Sequence, residues 1–210
     1  GKHYTIGFPH EEYASGRPRI VSPLYERLKA RNACFGSKLG WERPNWFAPK
    51  GLDANDVYSM GPQNWFSTVS DEHRAVRETA GVFDQSSFAK YELCGRDAGE
   101  ALSWICANRV TRGPGRLTYT QMLNTRGGIE CDLTVAQLAD DKFYIVTGTG
   151  FRTHDFAWIA DHIKPGLDAV LTDVTESWGT LSLMGPRSRD ILARVTGADV
   201  GNAAFPFGHV

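Results

Sequence analysis

A carboxylate stands inside a stretch that otherwise has the pattern of a strand. In NTRGGIECDLTV, residues 124–135, a turn over Asn124–Gly128 leads into Ile129, Cys131, Leu133 and Val135, alternating with Glu130, Asp132 and Thr134. Alternation of period two marks a half-buried strand, and Asp is a poor strand former. A hairpin turn centred between Thr125 and Arg126 pairs Tyr119 with Asp132 on one sheet face, because directly opposed residues of an antiparallel pair share a face. A phenol and a carboxylate then stand side by side, a hydrogen-bonding and proton-exchanging pair. A bulge at Gly127-Gly128 would shift the register by one and separate them. The competing assignment for Asp132 is a wet face or a loop-holding role.

Other polar motifs carry less. GPGRL (113–117) is glycine-rich but lacks the spacing of nucleotide loops, so a turn is expected. TGTG (147–150) precedes a helical pattern, where amides can meet an anion or simply turn the chain. MGPRSRDIL (184–192) reads as a surface helix opened by Pro186. Cys34, Cys94, Cys106 and Cys131 form no CxxC pair, and the six histidines show no paired metal spacing, so no metal is expected. No GxSxG elbow occurs.

The composition sets the frame for these residues. Apolar residues make up 41% and net charge is -1, which is ordinary globular composition without a general pull toward nucleic acid or anionic membrane. No run of about 18 apolar residues exists to span a membrane. The first residues have no signal-peptide apolar region. Scattered cysteines read as small buried residues of a reducing compartment, so a cytoplasmic location is expected.

Residues 1–70 differ from the rest. Six of the ten prolines fall before residue 63, which argues for an extended path with short helices. SPLYERLKARNA (22–33) is the clear helix there, with Ser22 as cap and Pro23 in the first turn. LGWERPNWFAP (39–49) is expected to be irregular yet docked, because disordered linkers are poor in aromatics. Beyond it, helices are expected over 71–81, 97–107, 153–163 and 186–195. Asp97 and Glu100 stand at capping-box spacing. Strands are expected over 89–95, 116–124, 128–138, 142–147, 168–174 and 178–184. Strands joined by short turns imply antiparallel pairing with helices packed on one face, an α+β fold. The aromatic segment NAAFPFGHV at the end suggests a core that continues in a longer protein.

GVFDQSSFAKYELCGRDAGEAL (81–102) followed by LTYTQMLNTRGGIECDLTV (117–135) resembles the folate-binding domain of the glycine-cleavage T-protein (aminomethyltransferase) superfamily. Tyr119, Leu123-Asn124, Gly127-Gly128 and Asp132 match its pattern of a Tyr, an LN…GG turn and an Asp thirteen positions after the Tyr. MGPRSRDIL matches a later helix. The segment 1–49 resembles the stretch joining the flavin and folate parts of dimethylglycine and sarcosine dehydrogenases. The resemblance implies a linking arm over 1–50 that follows an upstream FAD oxidoreductase domain. Residues 51–210 become the N-terminal portion of the folate-binding domain, whose downstream remainder carries the family's second acidic folate contact. The family's pair of acids at the strand start is reduced here to Asp132 alone, after Cys131.

The implied activity is tetrahydrofolate-dependent. An N-methyl amine oxidised by FAD upstream yields a methylene iminium, which is captured as 5,10-methylenetetrahydrofolate. The resemblance gives Asp132 the role of accepting a proton from folate nitrogen or orienting it, in a cavity whose partial burial raises its pKa. Tyr119 offers a ring and a hydroxyl to the same ligand, and Phe88 packs either the folate ring or the core. A non-catalytic folate-binding or interdomain module of the same superfamily stands as the alternative.

Overall fold

The computed structural model describes residues 7–9 and 11–210. The chain forms two compact units, one of residues 1–85 with 181–188, the other of 86–180 with 189–210. The order expected of the arm cannot be followed at residues 1–6 and 10, which lie outside the described residues.

The first unit carries helix α1 (Tyr25–Ala30) and strands β1 (Ala33–Lys38) and β2 (Trp41–Phe47). β1 and β2 pair antiparallel around a two-residue turn, in which Leu39 and Gly40 both have positive φ (51° and 90°). That is the turn geometry whose twist suits a hairpin. LGWERPNWFAP is therefore not irregular, and its strand corrects the expectation from proline content. A two-stranded sheet has only edges, where a missing N–H costs little, and Pro44 sits at a bulge between the Cys34–Trp46 and Phe35–Pro44 pairs. Its aromatics are docked, as expected: Trp46 is buried with Cys34 and Ala48 against Trp65 and Val69. Trp46 Nε1 donates to Asp56 Oδ1 at 2.8 Å. α1 is shorter than the pattern, and the Ser22 hydroxyl accepts from the Leu24 amide at 3.2 Å and bonds to Asp84.

Helix α2 (Phe66–Glu78) begins five residues before the predicted start. Gly81 does not cap it but opens strand β3 (Gly81–Asp84). A Cβ on Gly81 would lie 2.6 Å from the Val76 side chain, so the close approach demands glycine. β3 pairs with strand β9 (Leu181–Met184).

The second unit is built on strands β4 (Ala89–Cys94), β5 (Arg116–Leu123), β6 (Ile129–Ala139), β7 (Lys142–Thr147) and β8 (Val170–Asp173), with helices α3 (Ala98–Ile105) and α4 (Arg152–His162). Helix α5 (Ser188–Val195) starts on the last residue of the first unit. The five strands make one antiparallel sheet in the order β5-β6-β7-β4-β8. One face packs on the helices. Met122, Cys131, Leu133, Val135, Tyr91 and Ile145 from the strands meet Ala98, Ala101, Leu102, Ile105 and Ile159 from α3 and α4. Ala98, Ala101, Leu102 and Ile105 lie on one face of α3, and all four are buried. The capping box is not formed: Asp97 Oδ2 accepts instead from the Asp168 amide at 2.9 Å, tying α3 to the loop before β8. GPGRL is a turn, with Gly113 and Gly115 at φ 98° and 86°.

In the first unit the Glu42 carboxylate is buried, and its counter-charge is Arg17. The guanidinium donates Nε and Nη2 to Glu42 at 2.9 and 2.6 Å, and Nη2 also reaches the Phe35 carbonyl. The Arg17→Ala variant is expected to lose about 3 kcal/mol of stability, the low end for an uncompensated buried charge because Arg17 is partly exposed. Equilibrium urea unfolding at pH 7 checks this, and Arg17→Ala/Glu42→Gln should regain part of the loss.

Candidate functional site

The site follows from the register of the β5–β6 hairpin. Asn124 organises the turn: its Oδ1 accepts from the amides of Arg126 and Gly128, both at 2.9 Å, and its Nδ2 donates to Glu130 Oε1 at 2.7 Å. Gly127 takes φ 80°, which glycine adopts without a Cβ clash. The pairing then runs Leu123–Ile129, Met122–Cys131, Gln121–Asp132 and Tyr119–Thr134. Glu130 is the extra residue of a bulge.

Tyr119 is therefore not directly opposite Asp132, as a turn centred on Thr125-Arg126 predicts. The register differs by two residues. Because side chains alternate with period two, a shift of two keeps both on one face, where a shift of one would have parted them. They are diagonal neighbours and still meet. The Asp132 carboxylate beside the Tyr119 phenol favours its neutral form and, with desolvation, raises the Tyr119 pKa. Asp132 Oδ1 also accepts from Gln121 Nε2 at 3.1 Å.

Asp132 is exposed rather than partly buried, which corrects the expected cavity. The face opposite the helices is covered unevenly. Toward β4 it buries Lys90, whose Nζ donates to the Ser86 and Trp178 carbonyls at 2.8 and 2.7 Å. At the β5–β6 end it is open, and Tyr119, Leu123 and Ile129 are 60%, 43% and 66% exposed. Phe88 is half-buried just before β4, two strands from β6 in the sheet order, roughly 10 Å at ordinary strand spacing. The structure thus joins Tyr119 and Asp132 and leaves Phe88 apart from that pair.

On the helix-covered face lies a polar cluster that spacing along the chain gave no hint of. The bulge lets the consecutive residues Glu130 and Cys131 both reach α4. Asp155 is fully buried at the start of α4 and accepts from Thr147 Oγ1 at 2.6 Å. His154 Nδ1 lies 2.9 Å from Asp155 Oδ1, and its Nε2 lies 3.6 Å from Glu130. Burial first, and then the neighbouring Asp155 charge and hydrogen bond, push the Cys131 thiol well above its usual pKa. The THDF segment could have signalled this cluster only through its polar pair at a helix start, which pattern alone assigns to capping. A cavity of about 870 Å³ in the first unit, lined by Arg17, Trp46, Asp56, Tyr58 and Trp65 among others, contains none of Tyr119, Asp132 and Phe88.

With the geometry in place, comparison with known proteins gives consistent matches. The family model described as the GCVT N-terminal domain matches residues 24–210. Mouse mitochondrial dimethylglycine dehydrogenase is 35% identical over 99% of this chain and 24% of its own length. The 4-methylaminobutanoate oxidase (formaldehyde-forming) of Paenarthrobacter nicotinovorans is 36% identical over 100% of the chain and 25% of its length. Human mitochondrial sarcosine dehydrogenase is 35% identical over 98% of the chain and 27% of its length. The chain thus spans about a quarter of these relatives. Among solved structures, the glycine cleavage system aminomethyltransferase T from Bartonella henselae superposes with a TM-score of 0.69 at 27% identity, over 84% of this chain and 43% of that one. Its likeness agrees with the α+β fold of antiparallel sheet and one-sided helices. Among the described residues no helix is long and apolar enough to cross a membrane.

The proximity of Asp132 to Tyr119 has a spectroscopic consequence. Asp132→Ala removes the charge that holds the phenol neutral, so Tyr119 is expected to ionise at lower pH than in the parent. A difference titration of tyrosinate absorbance, with Tyr119→Phe identifying the band, checks the direction. Identical curves for parent and Asp132→Ala would mean that the pair does not form in solution.

Proposed function

The chain belongs to the GCVT N-terminal domain family, and on that premise we propose that it is the tetrahydrofolate-binding, one-carbon-transferring part of an FAD-dependent N-methyl amine dehydrogenase. The substrate class is dimethylglycine or sarcosine, and the methylene iminium released by oxidation is captured as 5,10-methylenetetrahydrofolate. The observation that carries this is the Tyr119–Asp132 pair at the open end of the sheet. A reduced pterin has a flat face and several N–H donors. The open end offers an acceptor-only carboxylate beside exposed Tyr119, Leu123 and Ile129, so the residues present fit such a ligand.

Bound tetrahydrofolate supplies the nitrogens that take up the one-carbon unit. Asp132 accepts the proton that must leave nitrogen as carbon–nitrogen bonds form. Tyr119 orients Asp132 through its hydroxyl and presents its ring to the ligand. A ligand lying over Tyr119 excludes water from Asp132. Phe88 lies farther along the sheet and serves an extended part of the ligand or the packing near β4. In this account residues 1–50 are the arm after the upstream FAD domain, where the amine is oxidised, and 51–210 are the first portion of the folate-binding domain, completed by a downstream remainder. The four cysteines, none in a disulfide, accord with a reducing, cytoplasmic setting, although two of the relatives above are named as mitochondrial.

One observation favours a second reading, a folate-binding or interdomain module without transfer chemistry. The Paenarthrobacter relative is named as formaldehyde-forming, so in that protein the one-carbon unit leaves as formaldehyde.

The two readings part on Asp132→Ala in the full-length protein. Amine oxidation should stay near the parent rate, because that chemistry sits in another domain. Formation of 5,10-methylenetetrahydrofolate at saturating folate should fall about 10²–10⁴-fold, the usual cost of losing a general base, with formaldehyde appearing in its place. A lost hydrogen bond alone costs about 0.5–3 kcal/mol in binding, which saturating folate overcomes. Methylenetetrahydrofolate formed at the parent rate would leave Asp132 only a binding role, and none formed by either protein would favour the second reading.

A further inference from the structure

The cluster on the helix-covered face has the chemistry of a ligand set. Among the described residues, Cys131 Sγ, a ring nitrogen of His154 and a carboxylate oxygen of Asp155 lie within 4.8 Å of one another. Ligands bonded to one tetrahedral zinc at about 2.0–2.3 Å are roughly 3.3–3.7 Å apart. The side chains therefore need only small shifts to close on an ion. The 2.9 Å His154–Asp155 separation opens slightly, and the thiol moves in.

Asp155 and His154 each have a neighbour that would orient them. Thr147 holds Asp155 by Oδ2, leaving Oδ1 toward His154. Glu130 stands 3.6 Å from His154 Nε2 and is itself held by Asn124. A carboxylate on the far nitrogen of a ligating imidazole is the usual outer support of a metal-bound histidine. Trp158, one turn on, lies nearly parallel to the His154 ring at 13°, with centroids 6.5 Å apart. Cys131 and Asp155 are both about 1% exposed, while the His154 side chain is 48% exposed. The site thus has a dry floor and a solvent-facing door.

We propose that Cys131, His154 and Asp155 form a binding site for a thiophilic divalent cation of the zinc type, with Glu130 and Thr147 as orienting partners. The fourth position faces solvent beside His154. The cation takes the place of the thiol proton: Cys131 binds as thiolate and releases one proton to water. His154 binds through Nδ1 and keeps its single ring proton on Nε2, facing Glu130. Asp155 binds through Oδ1 and retains Thr147 on Oδ2.

The groups that face the thiol are Asp155 and His154 from α4, Glu130 and Tyr91 from the sheet, and Cys106 after α3.

The test uses the full-length protein, zinc as probe, equilibrium dialysis and zinc-edge X-ray absorption. The proposal expects one zinc more per chain in the parent than in Cys131→Ser or in His154→Ala. It also expects one sulfur neighbour at about 2.3 Å that is lost in Cys131→Ser, and affinity weakened about 10–100-fold in Glu130→Gln. His154→Ala removes an exposed side chain, so it remains informative where Cys131→Ser does not fold. Equal zinc content in the parent and His154→Ala, an absorption spectrum without sulfur, or no zinc bound by the parent would each overturn it. Because none of these readouts involves folate, a failure here leaves the one-carbon proposal standing, and the reverse also holds.

Discussion

The second unit depends on the register of one hairpin. Asn124 fixes the turn with both ends of its amide, and Glu130 is taken up in a bulge beside it. From there every side chain of β6 is assigned a face. Cys131, Leu133 and Val135 go to the helices, while Asp132 goes to the open face with Gln121 and Tyr119. A slip of one residue would put a carboxylate into the core and the core thiol into water, at a cost of several kcal/mol for the charge alone. Loss of the Asn124 amide removes the constraint that prevents it.

The bulge has a second effect. It brings two consecutive side chains, Glu130 and Cys131, to α4, where His154 and Asp155 await them. One short segment thereby presents Asp132 on one face of the sheet and Glu130 and Cys131 toward α4 on the other. Asp155 also fixes the start of α4. Through Thr147 it ties α4 to the end of β7, and Tyr91 adds a bond from β4 to the Arg152 carbonyl at 2.6 Å. The helix start is thus held by polar contacts to three strands, as well as by the packing of Ile159.

Much of this was legible in the sequence because local pattern and tertiary fold agree. β7 spans the predicted 142–147, and α3 buries the face its apolar spacing presents. The Tyr119–Asp132 association was readable because parity survives a two-residue error in the turn centre. What was not legible has physical causes. Pro44 disguised a strand, since proline counts against sheet in general but not at an edge. Asp97 stood at capping spacing but found a backbone partner 71 residues away, which no local rule sees. The burial of Asp132 was expected from a family pocket, whereas the open end of the sheet leaves the carboxylate exposed. The Cys131–His154–Asp155 cluster joins residues over twenty positions apart through a bulge, and a single inserted residue in a ladder has no sequence signature of its own.

The central claim is that Asp132, held by Tyr119, is the group that handles the proton of a folate nitrogen. A crystal structure of the full-length protein with bound tetrahydrofolate tests it most directly. The account predicts the Asp132 carboxylate within about 3.2 Å of a nitrogen of the reduced pterin or its N10, with the Tyr119 ring against the ligand. Folate bound with Asp132 facing solvent and Tyr119 free of the ligand would contradict it.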